Sequence, residues 1–224
     1  MPRSFCIPGI FFLLAATVLL IITSINLPYL TALDFARVHY TGNSLGVSGG
    51  QGSLTQLRFG IWGYCAYTSN GARVCPHVGH GYGVEVLSTT HNSATINPSW
   101  TRGLAVHPVA AVVSFIALLF SFSTHVTVTL VASVLSFLAA LLALLAFIID
   151  IALYAWVKHE MGNLGVPEST ITGPGFWLTF VAMILLFLAG CTVCFGRRRD
   201  RMSGATSYEM SGPKTGFFSR FRRN

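Results

Sequence analysis

Charge is what this chain has least of. Asp, Glu, Lys and Arg make up 9% of its 224 residues, and only seven residues are acidic. Soluble domains carry roughly a quarter charged residues. So little charge cannot cover the surface of a water-soluble fold, so the bilayer is the better solvent for most of the chain. No Asn-x-Ser/Thr acceptor occurs, because Pro98 spoils Asn97-Pro98-Ser99. There is no His-Glu-x-x-His pair, no phosphate-binding glycine loop and no nucleophile–His–acid set. Nothing recommends an enzyme, and no cofactor, metal or small-molecule substrate is expected.

What is present is apolar length. Stretches 10–30, 104–122, 126–155 and 176–196 are each near or above the roughly 20 residues needed to span a bilayer. The first also admits a cleaved signal peptide, but its apolar run is long and no small-x-small site follows. Lys and Arg set the orientation. The segment after 196 holds Arg197, Arg198, Arg199, Arg201, Lys214, Arg220, Arg222 and Arg223, and the stub 1–9 holds Arg3. Both termini are therefore expected in the cytosol. Segments 31–103 and 156–175 then face outside, and 197–224 reads as a disordered basic tail. The expected fold is an all-α membrane bundle of four transmembrane helices. Its first extracellular segment carries a small disulfide-held β-sheet.

That segment opens with the linker-like "TGNSLGVSGGQGSL". Next, "LTQLRFGIWGYCAYTS" predicts a strand, with Trp62 and Tyr64 on one face and Ile61 and Gly63 on the other. Asn70-Gly71 predicts a hairpin turn, and "GYGVEVLS" another strand. Cys65 and Cys75 are the only cysteines in the outer segments. In an oxidising compartment they predict a disulfide across the hairpin. Two free thiols, or a zinc site with His77 and His80, are the alternatives. The Trp62 indole is expected on the helix ends or in the headgroups. Gly60 and Gly63 permit close backbone approach or a bulge.

Gly60-x-Trp62-x-x-Cys65, with Cys75 ten residues on and a large first outer segment, resembles the claudin-type superfamily. Arg102, just before the second span, stands where claudins carry an arginine, although claudins have a further upstream Trp that this chain lacks. "FGIWGYC", which includes Gly63 and Tyr64, and "IIDIALYAWVKHEM" resemble more closely the fungal PalI family, grouped with the Sur-type proteins of eisosomes. The likeness extends over most of residues 5–196. It implies a non-enzymatic plasma-membrane accessory of the ambient alkaline pH response, one that stabilises or localises a larger polytopic sensor. Organisation of cortical membrane domains is the alternative, and claudin-like adhesion or pore formation a third. The implied partners are membrane lipids and a polytopic sensor or a second copy, without nucleic acid.

Other residues carry weaker signals. Asp150 follows an apolar run and is expected at the outer boundary, with a bundle contact or proton-sensitive role as the alternative. His77 and His80 lie in the outer segment and titrate near neutrality when unperturbed. Cys6, Cys191 and Cys194 sit at expected cytosolic helix ends, where S-palmitoylation occurs. The tail arginines are expected to contact anionic lipid. Ala132, Ser136, Ala139, Ala140, Ala143 and Ala146 form a small-residue stripe suited to packing within the bundle, or to a dimer face.

Overall fold

The computed structural model describes residues 6–41, 45–47, 53–76, 79–88, 92–123 and 125–206, with 6, 7, 47, 126 and 193–206 as backbone only. Its helices are α1 (Cys6–Ser24), the short α2 (Pro98–Arg102), α3 (Val106–Ser121), α4 (Val126–Gly162) and α5 (Pro174–Thr206). A 3-10 turn, Gly103–Ala105, joins α2 to α3. Pro98, Pro108 and Pro174 all fall in first turns, where a missing N–H costs nothing.

Among the described residues three helical stretches are long and apolar enough to cross a membrane: Pro98–Ser121, Thr127–Gly162 and Pro174–Thr192. The apolar part of α1, Pro8–Ser24, is shorter. It nevertheless packs with them, placing Leu13, Ala16 and Leu20 against alanines of α3, α4 and α5. The whole small-residue stripe of α4 is buried, with Ala139, Ala143 and Ala146 at 0% exposure. It therefore serves packing within one bundle, which answers the dimer-face reading of that stripe. Small side chains let helix backbones approach closely where lipid supplies no hydrophobic drive. Phe115, Val134, Phe137 and Ile148 point outward.

Among the described residues eight strands cap one end of the bundle: β1 (Ala36–Tyr40), β2 (Leu45–Val47), β3 (Leu54–Phe59), β4 (Tyr64–Thr68), β5 (Arg73–Val74), β6 (Val84–Ser88), β7 (Ser93–Ile96) and β8 (Glu168–Thr172). They form a five-stranded sheet ordered β5-β4-β3-β1-β8 and a three-stranded sheet ordered β2-β6-β7. All the pairings are antiparallel, with Ala36 opposite both Phe59 and Thr172. Alternation sends Ala36, Val38, Leu57, Phe59 and Ala66 inward to meet Val84, Val86 and Ile96 of the smaller sheet. Leu153, Val157 and Met161, on the end of α4 that projects among the strands, complete this core. The buried Tyr40 hydroxyl donates to Met161 Sδ at 2.9 Å, and burial pushes its pKa up.

Four boundaries differ from the sequence reading. The run from Leu54 to Ser69 is two strands rather than one, because Gly60–Gly63 turns the chain back on itself: Gly60 N–H donates to Gly63 O at 2.9 Å. Leu45–Val47, read as linker, is a strand on β6. Segment 156–175 is not a free loop: α4 continues to Gly162 and β8 joins the large sheet. Residues 197–206, read as disordered, continue α5, since Arg and Met are good helix formers and no Pro intervenes. Residues 207–224 lie outside the described residues.

Candidate functional site

Trp62 and its neighbours form the tip of the β3–β4 hairpin, and this tip rests on the C-terminal end of α1. The last turn of a helix leaves carbonyls without partners. One of them, Ser24 O, accepts a hydrogen bond from Trp62 Nε1–H at 2.8 Å. Two residues on, Asn26 Oδ1 accepts from Ile61 N–H at 2.9 Å. Gly60 lies so close to Leu27 and Asn26 that a Cβ there would overlap the Leu27 side chain. Its carbonyl accepts the Tyr82 hydroxyl at 2.7 Å, and Tyr82 O accepts Thr101 Oγ1 at 2.7 Å. One chain of bonds thus runs from α1 through the hairpin tip to α2. Burial raises the Tyr82 and Tyr64 hydroxyl pKa values.

Cys65 and Cys75 are joined in a disulfide ten residues apart in sequence. Gly71 supplies the positive φ (74°) that the intervening turn requires. The bond holds β5, only two residues long, to β4. It also removes both thiols as zinc ligands. Among the described residues no group of three or more His, Cys, Asp or Glu could hold a metal. His80 is exposed, its Nε2 3.1 Å from Arg102 O, and His77 lies outside the described residues. Arg102 is exposed on α2 with its stem against Gly81.

A second tie joins the segment before β1 to the start of α5. Asp34, fully buried, takes a two-pronged contact from Arg37, with Nη2 at 2.8 Å and Nε at 2.9 Å. The Asp34 and Phe35 carbonyls accept N–H groups of Gly175 and Gly173, each at 2.9 Å. A Cβ on Gly173 would overlap the Asp34 carbonyl, which explains the glycine in "TGPG". Arg37 and Arg58 then stand side by side on the outward face of the large sheet. Arg58 is held by Gln56 Oε1 and Thr31 O and lies 4.7 Å over the Tyr67 ring. The burial of His39 and the charges of Arg37 and Arg58 depress its pKa.

Asp150 is where the structure departs most from the sequence reading. It is not at a wet boundary. It is buried between helices, with its Oδ2 3.2 Å from Nε2 of His107, and both side chains have 0% exposure. His107 Nδ1 lies 3.0 Å from Leu104 O. Thr179 of α5 faces the same carboxylate. Neither residue could be paired from sequence, because two apolar helices do not spell out their mutual register. The available signal was that an ionisable group inside each apolar run demands a partner.

At the far end of the bundle, Cys191 is a free, exposed thiol near the end of α5. Cys6 and Cys194 lie on α1 and α5, but their side chains are outside the described residues, as are those of Arg197, Arg198, Arg199 and Arg201. Arg220, Arg222 and Arg223 are also outside them.

These features define a class: an apolar helix bundle with membrane-crossing helices, topped by a disulfide-held pair of sheets seated on the helix ends. Comparison with known proteins narrows it. A family model described as SUR7/PalI matches residues 5–189, and the chain belongs to that family. It is 29% identical over 153 residues to a pH-response regulator protein palI/RIM9 of Pyricularia oryzae, covering 66% of this chain and 20% of that protein. It is 26% identical over 174 residues to the pH-response regulator protein palI/prr-5 of Neurospora crassa, covering 70% of this chain and 22% of that one. The chain thus spans about a fifth of the length of the curated relatives it matches.

Proposed function

We propose that this protein is a non-enzymatic accessory of fungal pH-response signalling in the plasma membrane, where it stabilises or localises a larger polytopic sensor. In this reading α1 is the fourth span, both termini are cytosolic and the sheets lie outside. The arginines after Gly196 rest on anionic lipid, and Cys6, Cys191 and Cys194 are candidate palmitoylation sites. The observation that carries the reading is the continuity of the outer sheets with the bundle. Trp62, Asn26, Gly60 and Gly173 tie the strands to the ends of α1 and α5. A rigid outer platform on an anchored bundle suits holding a partner in place better than it suits turnover. The names of the relatives supply the pathway.

The test is a gene deletion with two readouts. Poor growth at alkaline pH, together with a reduced surface pool of a co-purifying polytopic protein, agrees with the proposal. Normal alkaline growth with lost cortical patches transfers the protein to membrane-domain organisation and sinks the signalling role.

A further inference from the structure

We infer that His107 and Asp150 form a buried binding site for one proton, which latches α3 to α4 and is linked through Phe35 to the outer sheet. The inference does not depend on the signalling role and stands or falls on the chain alone.

The argument begins with donors and acceptors. Leu104 O, 3.0 Å from His107 Nδ1, can only accept, so Nδ1 carries a hydrogen. The 3.2 Å contact between Nε2 and Asp150 Oδ2 then needs one further proton between the two atoms. That proton gives either imidazolium with carboxylate or imidazole with carboxylic acid. Both arrangements have no net charge, which is what an apolar bundle tolerates. Removal of the proton to a solvent base leaves a lone pair facing a carboxylate oxygen and a net negative charge. The contact then turns repulsive. A second proton leaves a net positive charge in the same place.

The surroundings offer no titratable substitute partner. From α5 the carboxylate is faced by Thr179, whose hydroxyl donates to Gly175 O at 3.0 Å. From the segment before β1 the imidazole meets the Phe35 ring at 4.8 Å. From the 3-10 turn it meets the Leu104 carbonyl. None of these groups titrates. Among the described residues no other charged group acts on His107 or Asp150. Asp34, adjacent to Phe35, is already bound to Arg37. Asp150 Oδ1 is buried without a hydrogen-bond partner among the described residues, so the pair is under-satisfied even when closed.

Phe35 supplies the link outward. Its N–H donates to Phe59 O and its carbonyl accepts Gly173 N–H, each at 2.9 Å. Phe59 ends β3 beside the hairpin tip, and Gly173 precedes α5. Movement of the imidazole therefore acts on the residue that joins the sheet to α5.

The test uses the full chain in lipid nanodiscs with ¹⁵N-labelled histidine rings. His107 is identified as the imidazole that a soluble paramagnetic agent does not reach and that disappears in H107Q. Between about pH 5 and about pH 10, a span that covers ordinary His titration, its Nε2 signal is expected to change in a single step while Nδ1 stays protonated. Exchange of the Phe35 and Gly173 amides should quicken on the deprotonated side of that step. In D150N the amide donates to Nε2 without titrating, so the step should vanish. An unchanged His107 signal across the range, or the same step in D150N, overturns the proposal. If D150N does not fold, the wild-type titration decides alone.

Discussion

The indole of Trp62 is expected to fasten the large sheet to the bundle, and its removal can be weighed from its two contacts. The first is the hydrogen bond to Ser24 O at 2.8 Å. Its loss in Trp62→Phe, which keeps an aromatic ring, should cost about 1 kcal/mol. The second is packing against the core of the sheets. Truncating a fully buried Trp costs ~3–5 kcal/mol. Trp62 is only partly buried, so Trp62→Ala should cost about 2–3 kcal/mol, hydrogen bond included. For a domain of this size each kcal/mol moves Tm by roughly 2–4 °C. Trp62→Ala should therefore melt roughly 5–10 °C below wild type, with Trp62→Phe in between. Thermal unfolding in detergent, paired with limited proteolysis, measures both fastening and fraying. Wild-type melting and protease resistance in Trp62→Ala would refute the reasoning and show that the sheets hold to the bundle without it.

Four further outcomes are expected. Gly173→Ala forces a Cβ into the Asp34 carbonyl and should lower the yield of folded protein sharply, whereas Gly190→Ala meets nothing within 4 Å and should be neutral or slightly stabilising; equal yields for the two would contradict the close approach. Cys65→Ser should cost about 3 kcal/mol through the unfolded chain, and recovery of both cysteines as alkylated free thiols from unreduced protein would contradict the pairing. His39 should titrate below its ordinary value of 6.5, because of burial first and then Arg37 and Arg58. Its neutral form is the one the fold favours, so its contribution is full above that ordinary value and lost as pH falls through the folded one. An NMR midpoint that does not rise in Arg58→Gln would count against the field of that sheet face. A reporter after Asn224 should resist external protease in intact cells, and its digestion would reverse the proposed topology.

Much was legible along the chain because solvent choice is a property of composition. Low charge and long apolar runs announce lipid-facing helices wherever they occur. A turn signal such as Asn70-Gly71 acts over four residues, and it located the β4–β5 hairpin and with it the Cys65–Cys75 bond. Gly60, read as a site of close approach, does bring the backbone against the residues that follow α1, and Trp62 does reach the helix end. The period-2 pattern misled only across Gly60–Gly63, where a tight turn interrupts two strands that look continuous as text.

The remainder depends on elements far apart in sequence. Glu168–Thr172 has unremarkable strand character and becomes β8 because β1 presents an open edge beside it. Ser24, Asn26 and Tyr82 gain their roles only once the hairpin tip lies among them. His107 and Asp150 stand 43 residues apart. Composition and short-range pattern alone determined the membrane class and the disulfide, because burial preference and turn chemistry act locally. Helix register and sheet membership were decided by tertiary packing, where a buried charge must find whichever partner the neighbouring helix brings, and that choice is made in space.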